Sequence, residues 1–182
     1  MKIAGRDGTA LRFAAPDDMP QIDRITSVCY EAIHESWMTL QSEDIYNVLN
    51  DPSVSWQDRK NAQNHELFAE HPEWVWVLEN EEGIFGYVTF KINAEKRLGI
   101  IDNNGVLPEH AGKGWGKYMY RHVFQYLREH DVQVAMVETD LDDPHTAARK
   151  AYEGVGFDRQ TKIVLYWQDL RKNNPGSNPS DI

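Results

Sequence analysis

A chain of 182 residues, 41% of them apolar and six of them tryptophan, can bury a core without disulfide staples, which excludes the disordered class. Its formal net charge of −10 excludes the basic footprint of general nucleic-acid binding and suits the steering of cationic amines. Cys29 is the only cysteine, no apolar run approaches membrane-spanning length, and the N-terminus lacks a signal-peptide pattern, so the expectation is a cytoplasmic protein with no membrane partner.

Residues 1–8 carry no pattern and read as a loose leader, and Thr9 to Ala14 alternates as a first strand. Pro16-Asp-Asp starts a helix, with Pro20 tolerable in its first turn. Met19, Ile22, Ile25, Val28, Cys29, Ala32 and Ile33 recur at helical spacing over about five turns. Cys29 on that apolar face suits a buried thiol better than a nucleophile. His34-Glu-Ser-Trp37 ends the helix, and the polar region to Pro72 holds short helical pieces, among them Ser55 to Glu70. His65 and His71 have no metal-ligand spacing, so no metal is expected.

Trp74 to Leu78 and Ile84 to Ile92 form a hairpin around the turn chemistry of Asn80-Glu-Glu-Gly83. Arg97 to Val106 is the next strand. Trp115, Met119, Val123, Tyr126 and Leu127 give the following helix, which reaches His130, its apolar face. Val132 to Thr139 reads as a strand, Pro144 to Glu153 as a helix and Ile163 to Trp167 as a final strand. One domain over residues 1–170 is expected, and residues 171–182, without core formers, read as a flexible tail. The order is that of an α/β fold with a mixed sheet flanked by helices.

The stretch Val106-Leu-Pro-Glu-His-Ala-Gly-Lys-Gly-Trp-Gly-Lys117 lies between a strand and a helix. Glycines at 112, 114 and 116 let the backbone approach a ligand and aim unpaired N–H groups at one point. The helix dipole, Lys113 and Lys117 favour an anion there, phosphate above all. A Walker loop fails on spacing, because three residues separate Gly112 from Gly116 and Tyr118 follows Lys117. The dinucleotide fingerprint fails too, its third glycine coming one residue early.

Val106-x-Pro108 followed by Gly112-x-Gly114, with Ala148-x-x-x-Tyr152-x-x-x-Gly156-Phe157 downstream, resembles the GNAT superfamily of acyl-CoA-dependent N-acyltransferases. The resemblance spans residues 9 to 167, and its matched motifs lie between 100 and 157. Ala111 departs from the family's Arg or Gln. The resemblance implies a mostly antiparallel sheet whose central strands splay apart, with acetyl-CoA as cosubstrate in the gap. It also implies cofactor contacts from Val106, Leu107, Gly112, Lys113, Gly114, Trp115, Gly116, Lys117 and, in place of the family's usual Asn, His145. His145 could instead cap its helix, and no proton-transfer role follows for it.

Acetyl transfer needs a neutral amine and a proton for the leaving thiolate. The resemblance places Tyr152 as the general acid. The base expected from many family members is a carboxylate on the strand before the loop, but position 100 holds isoleucine. Asp102, two residues on and on the same face of a regular strand, is the candidate, with His34 and Glu35 in reserve. Trp37, Trp56 and His34 could line an acceptor pocket or simply pack. The implied activity is acetyl transfer to a small-molecule or peptide amine, and the family's habits allow a homodimer. Ala111 and the missing acid at 100 leave one alternative, an acyl-CoA-binding module without turnover.

Overall fold

The computed structural model describes residues 2–172. Six strands form one sheet in the order of the chain: β1 (Lys2–Arg6), β2 (Thr9–Phe13), β3 (Val75–Asn80), β4 (Gly83–Asn93), β5 (Leu98–Val106) and β6 (Val134–Val137). All neighbours are antiparallel except β5 and β6, which run parallel. The helices are α1 (Met19–Gln41), α2 (Glu43–Leu49), α3 (Trp56–Glu70), α4 (Trp115–Glu129) and α5 (Thr146–Glu153). This is the expected mixed, mostly antiparallel sheet flanked by helices.

The central strands splay as well. Pairing of β5 with β6 starts at Leu98↔Val134 and stops at Ile101↔Val137, while β5 runs on to Val106. Beyond Ile101 the β6 side of β5 therefore has no ladder partner among the described residues, and a fork opens. Helix α4 covers the sheet through buried Trp115, Met119, Tyr120, Val123 and Leu127. It sits close because position 99 is glycine: a Cβ there would lie 2.5 Å from Leu127 Cδ1. Trp76, Phe90 and Tyr126 meet edge-to-face in the core, at centroid distances of 5.0 to 5.4 Å.

Four expectations need correction. Residues 2–6 are a strand, turned by Asp7 and Gly8 at positive φ and laid along β2, so most of the supposed leader belongs to the sheet. Helix α1 passes Trp37 and ends at Gln41, because no glycine or proline intervenes and Ser42, at φ 66°, breaks it. Ile163 to Trp167 makes no ladder. Its run of five apolar side chains needs cover on both faces, and none is present: exposures range from 45% at Trp167 to 91% at Tyr166. Finally, Arg171 and Lys172 are tied down at α2, where Arg171 donates to the Asp44 carbonyl at 3.1 Å and Lys172 lies 2.7 Å from its carboxylate. The rest of the expected tail, residues 173–182, lies outside the described residues.

Candidate active site

The loop after β5 is shaped by three features. A short 3-10 turn at Pro108–His110 reverses the chain, and Gly112 and Gly114 then take φ of 75° and 79°, which side-chain-bearing residues adopt only under strain. Gly114 is the N-cap of α4, and the first helical amide bond is Tyr118 N–H to Gly114 O at 3.0 Å. The amides of residues 112 to 117 thus lack carbonyl partners among the described residues and face outward as a nest. A Cβ on Gly112 would meet nothing within 4 Å, and one on Gly114 only Arg6 at 3.9 Å, so the loop leaves room for a ligand.

Arg6, which sequence reasoning missed, supports the loop from the first strand. Its guanidinium donates to the Lys113 carbonyl at 2.9 Å and lies 4.4 Å over the Trp115 ring. A basic side chain from β1 therefore joins Lys113 at the loop, whereas the Lys117 ammonium packs against Gly154 beyond α5. Leu107 is less available than expected: its N–H donates to Phe85 O and its carbonyl accepts from His110, both at 2.9 Å. The Val106 carbonyl accepts from Cys29 Sγ at 3.4 Å. Burial first, eased by that contact, pushes the Cys29 thiol up to about 11, so it stays protonated.

At the fork, one side chain organises three others. Asn104 donates to the Tyr152 hydroxyl at 3.3 Å and accepts from the Tyr120 hydroxyl at 2.7 Å, while its backbone N–H donates to the Tyr30 hydroxyl at 3.2 Å. Tyr152 is 6% exposed. Its burial outweighs the bonds from Asn104 and Tyr120 and raises its pKa, so the phenol carries its proton at neutral pH. The polar cluster of Asn104, Tyr30 and Tyr120 left no motif in the sequence. Only the strand alternation that places Asn104 beside the fork hinted at it.

The Asp102 carbonyl accepts from Asn104 Nδ2 at 3.3 Å and its charge reaches Tyr30, but its carboxylate has another partner. The β4–β5 register shifts between Val88 and Phe90, a bulge that sets both Asp102 and Asn103 opposite Thr89. The Thr89 hydroxyl accepts the Asn103 amide at 2.9 Å and donates to its carbonyl at 3.1 Å, locking the irregularity. Asn103 then bonds Asn64 of α3, and Asp102 pairs with Lys91 at 2.6 Å, whereas Asn104 bonds α4 and α5. The regular-strand argument that gave Asp102 and Asn104 one face fails at the bulge.

The expected acceptor residues form a compact cluster. His34 stacks on Trp56 at 4.2 Å, meets Trp37 edge-on at 4.8 Å and bonds the Tyr46 hydroxyl at 2.9 Å. Burial first, then Lys60 and Arg59, push His34 down to about 4, so it is neutral. Trp37 reaches across to Asp140 at 2.6 Å and Ser36 to Asp142 at 2.6 Å, joining α1 to the loop before α5. His145, the N-cap of α5, bonds Asp142 through Nδ1. His65 and His71 instead face Asp23 and Glu73. Among the described residues no cluster of three His, Cys, Asp or Glu side chains could hold a metal, and no helix is long and apolar enough to cross a membrane.

Known proteins resemble this chain in sequence or in fold. A mycothiol acetyltransferase from Streptomyces griseus is 28% identical over 131 residues, covering 72% of this chain and 41% of that protein. One from Thermobispora bispora is 26% identical over 137 residues, covering 72% and 45%. The chain thus spans less than half the length of these relatives. Among solved structures, an aminoglycoside acetyltransferase from an uncultured soil metagenomic sample superposes with a TM-score of 0.60 at 18% identity, covering 90% of this chain and 97% of that one. A GNAT acetyltransferase from Brucella melitensis, in complex with acetyl-CoA, gives 0.57 at 17% identity, covering 85% of each. The family model for acetyltransferases of the GNAT type matches residues 38–157, which include the glycine loop, the fork and the Tyr152 helix. By that match over more than half its length, the chain belongs to the GNAT acetyltransferase family.

Proposed function

We propose that this chain, as one domain over residues 1–170, transfers an acetyl group from acetyl-CoA to a primary amine by direct attack, with Tyr152 as the general acid. The observation that carries the reading is the fork with a buried, protonated phenol held at its edge by Asn104. The nest at residues 112–117, with Arg6 and Lys113 beside it, fits the pyrophosphate of the cosubstrate, while the Lys117 ammonium lies against Gly154 at the end of α5. The unpartnered side of β5 beyond Ile101 fits its pantetheine arm. Bound there, acetyl-CoA supplies an activated thioester. Tyr152 gives its proton to the departing thiolate, Asn104 orients that phenol, and Tyr30 and Tyr120 keep water from it. Asp102, whose carboxylate pairs with Lys91 at 2.6 Å, is retained as a base acting through water.

Tyr152→Phe tests this reading. The ring and its packing persist, so acetyl-CoA affinity by calorimetry should match the parent. Thiol release with an accepted amine should fall by on the order of 10²-fold, the low end for a positioned acid, because a thiolate is itself a fair leaving group. Parental kcat in this variant would make the phenol structural.

A further inference from the structure

Helices α1 and α5 face each other across the fork in matched steps. Tyr30 and Trp37 lie seven residues apart on α1, as do His145 and Tyr152 along α5. Seven residues make about two turns, roughly 10 Å. At one end Tyr30 and Tyr152 both bond Asn104. At the other, Trp37 stacks against His145 with centroids 6.3 Å apart and planes 29° from parallel. The two helices therefore carry phenols at one end and an imidazole at the other, beside exposed Asp140 and Leu141.

The imidazole is oriented. Asp142 accepts from Nδ1 through one carboxylate oxygen and from Ser36 through the other, at 2.6 Å. Arg149 donates to the carbonyls of Asp140 and Asp142 at 2.6 and 2.8 Å, which fixes the loop carrying them. A carboxylate on Nδ1–H leaves the lone pair on Nε2, and Nε2 has no partner among the described residues. The charged groups around this ring are Asp142, Asp140 and Arg149, while α1 contributes only Ser36 and Trp37.

We propose that His145, through Nε2, is the base that takes the proton from the ammonium form of the acceptor. The inference rests on the acetyl-transfer reading and adds the group that Asp102, held by Lys91, does not supply. The neutral amine nitrogen forms its bond to the acyl carbon as the carbon–sulfur bond breaks. The first ammonium proton leaves through His145 to solvent, and the Tyr152 proton goes to sulfur. The second proton, shed as the amide forms, restores the phenol. An acid on sulfur and a base on nitrogen, with the acyl carbon between, span roughly 10 Å, comparable to the rise of the two turns that separate His145 from Tyr152.

His145→Asn tests the assignment, with Asp142→Asn as the positioning variant. Thiol release from acetyl-CoA is followed with spermidine, kanamycin and a glycine-terminated peptide across pH, and acetyl-CoA affinity by calorimetry. The expected result is a kcat loss of on the order of 10²-fold near pH 7 for His145→Asn, a smaller loss for Asp142→Asn, and parental acetyl-CoA affinity in both. Added imidazole should restore part of the His145→Asn rate. The deficit should narrow as pH rises toward about 10, where the amine arrives already neutral. Weakened acetyl-CoA affinity with parental kcat would overturn the proposal and make His145 a cofactor contact. A pH-independent deficit without imidazole rescue would overturn it in favour of a packing role. A parent that releases no thiol with any of the amines would overturn the acetyl-transfer reading itself, and this inference with it.

Discussion

Asn104 is where one amide serves stability and, in the proposed reaction, chemistry. Its oxygen is the acceptor for Tyr120, a phenol 2% exposed, and its nitrogen is the donor that orients Tyr152. In Asn104→Ala both hydroxyls lose that partner in a buried setting, and an unsatisfied buried group costs about 1–3 kcal/mol. The variant should therefore melt earlier, and its kcat should fall further than its acetyl-CoA affinity, because the nest at residues 112–117 does not touch Asn104. Thermal denaturation and calorimetry measure the two effects separately. An Asn104→Ala variant with parental kcat would detach Tyr152 from the chemistry.

At the scale of elements, legibility followed the strength of local signals. The glycine loop, α4 and the β3–β4 hairpin carry period, turn residues and a cap within a few positions, so the sequence located them closely. The β5 bulge left no such trace. It depends on Thr89 and Asn64, which are distant in sequence from Asn103, and so strand alternation alone did not separate Asp102 from Asn104. The same limit applies to β1, whose pairing with β2 turns on Asp7 and Gly8 and not on any apolar period. The opposite error occurred at Ile163 to Trp167, where β-branched and aromatic residues gave a strand signal without a neighbour to pair with. Leu165 is 69% exposed there, so Leu165→Lys should change stability by no more than about 0.5 kcal/mol. A clear drop in denaturation midpoint would show that the segment is covered in solution.

For the whole molecule, the sheet is tied to its first helix by charges that set an acid limit. Arg12 bonds Asp18 at 2.5 and 3.1 Å and Glu79 at 2.7 and 3.1 Å. Burial works against the Asp18 charge, yet the Arg12 bonds and the Ala15 amide hold its carboxyl below the ordinary value of 3.8. Arg12 likewise lowers Glu79 from 4.5. Carboxyls depressed in the folded state add stability that is complete above those ordinary values and is lost as pH falls through the folded ones. Urea midpoints should therefore hold down to about pH 5 and decline below about pH 4, where protonation begins. Arg12→Gln should lower stability by about 1.5–3 kcal/mol at pH 7 and flatten that decline. A variant keeping the parental pH slope would place the acid sensitivity elsewhere.

The contact of Arg6 with the Lys113 carbonyl makes residues of β1 part of the proposed anion site more than a hundred positions away. A nest of free amides binds well only if it is already in shape, since ordering it on arrival would consume part of the binding energy. Strand β1 supplies that order in advance, and it does so from an edge with a single neighbour, β2. A bulky fusion at the N-terminus would leave the core intact and yet slacken the grip on phosphate, whereas trimming to Gly8 would also take Ile3 and Ala4 from the edge of the core. Preparations that differ only in their first residues would then differ in affinity, so the terminus belongs among the determinants of binding.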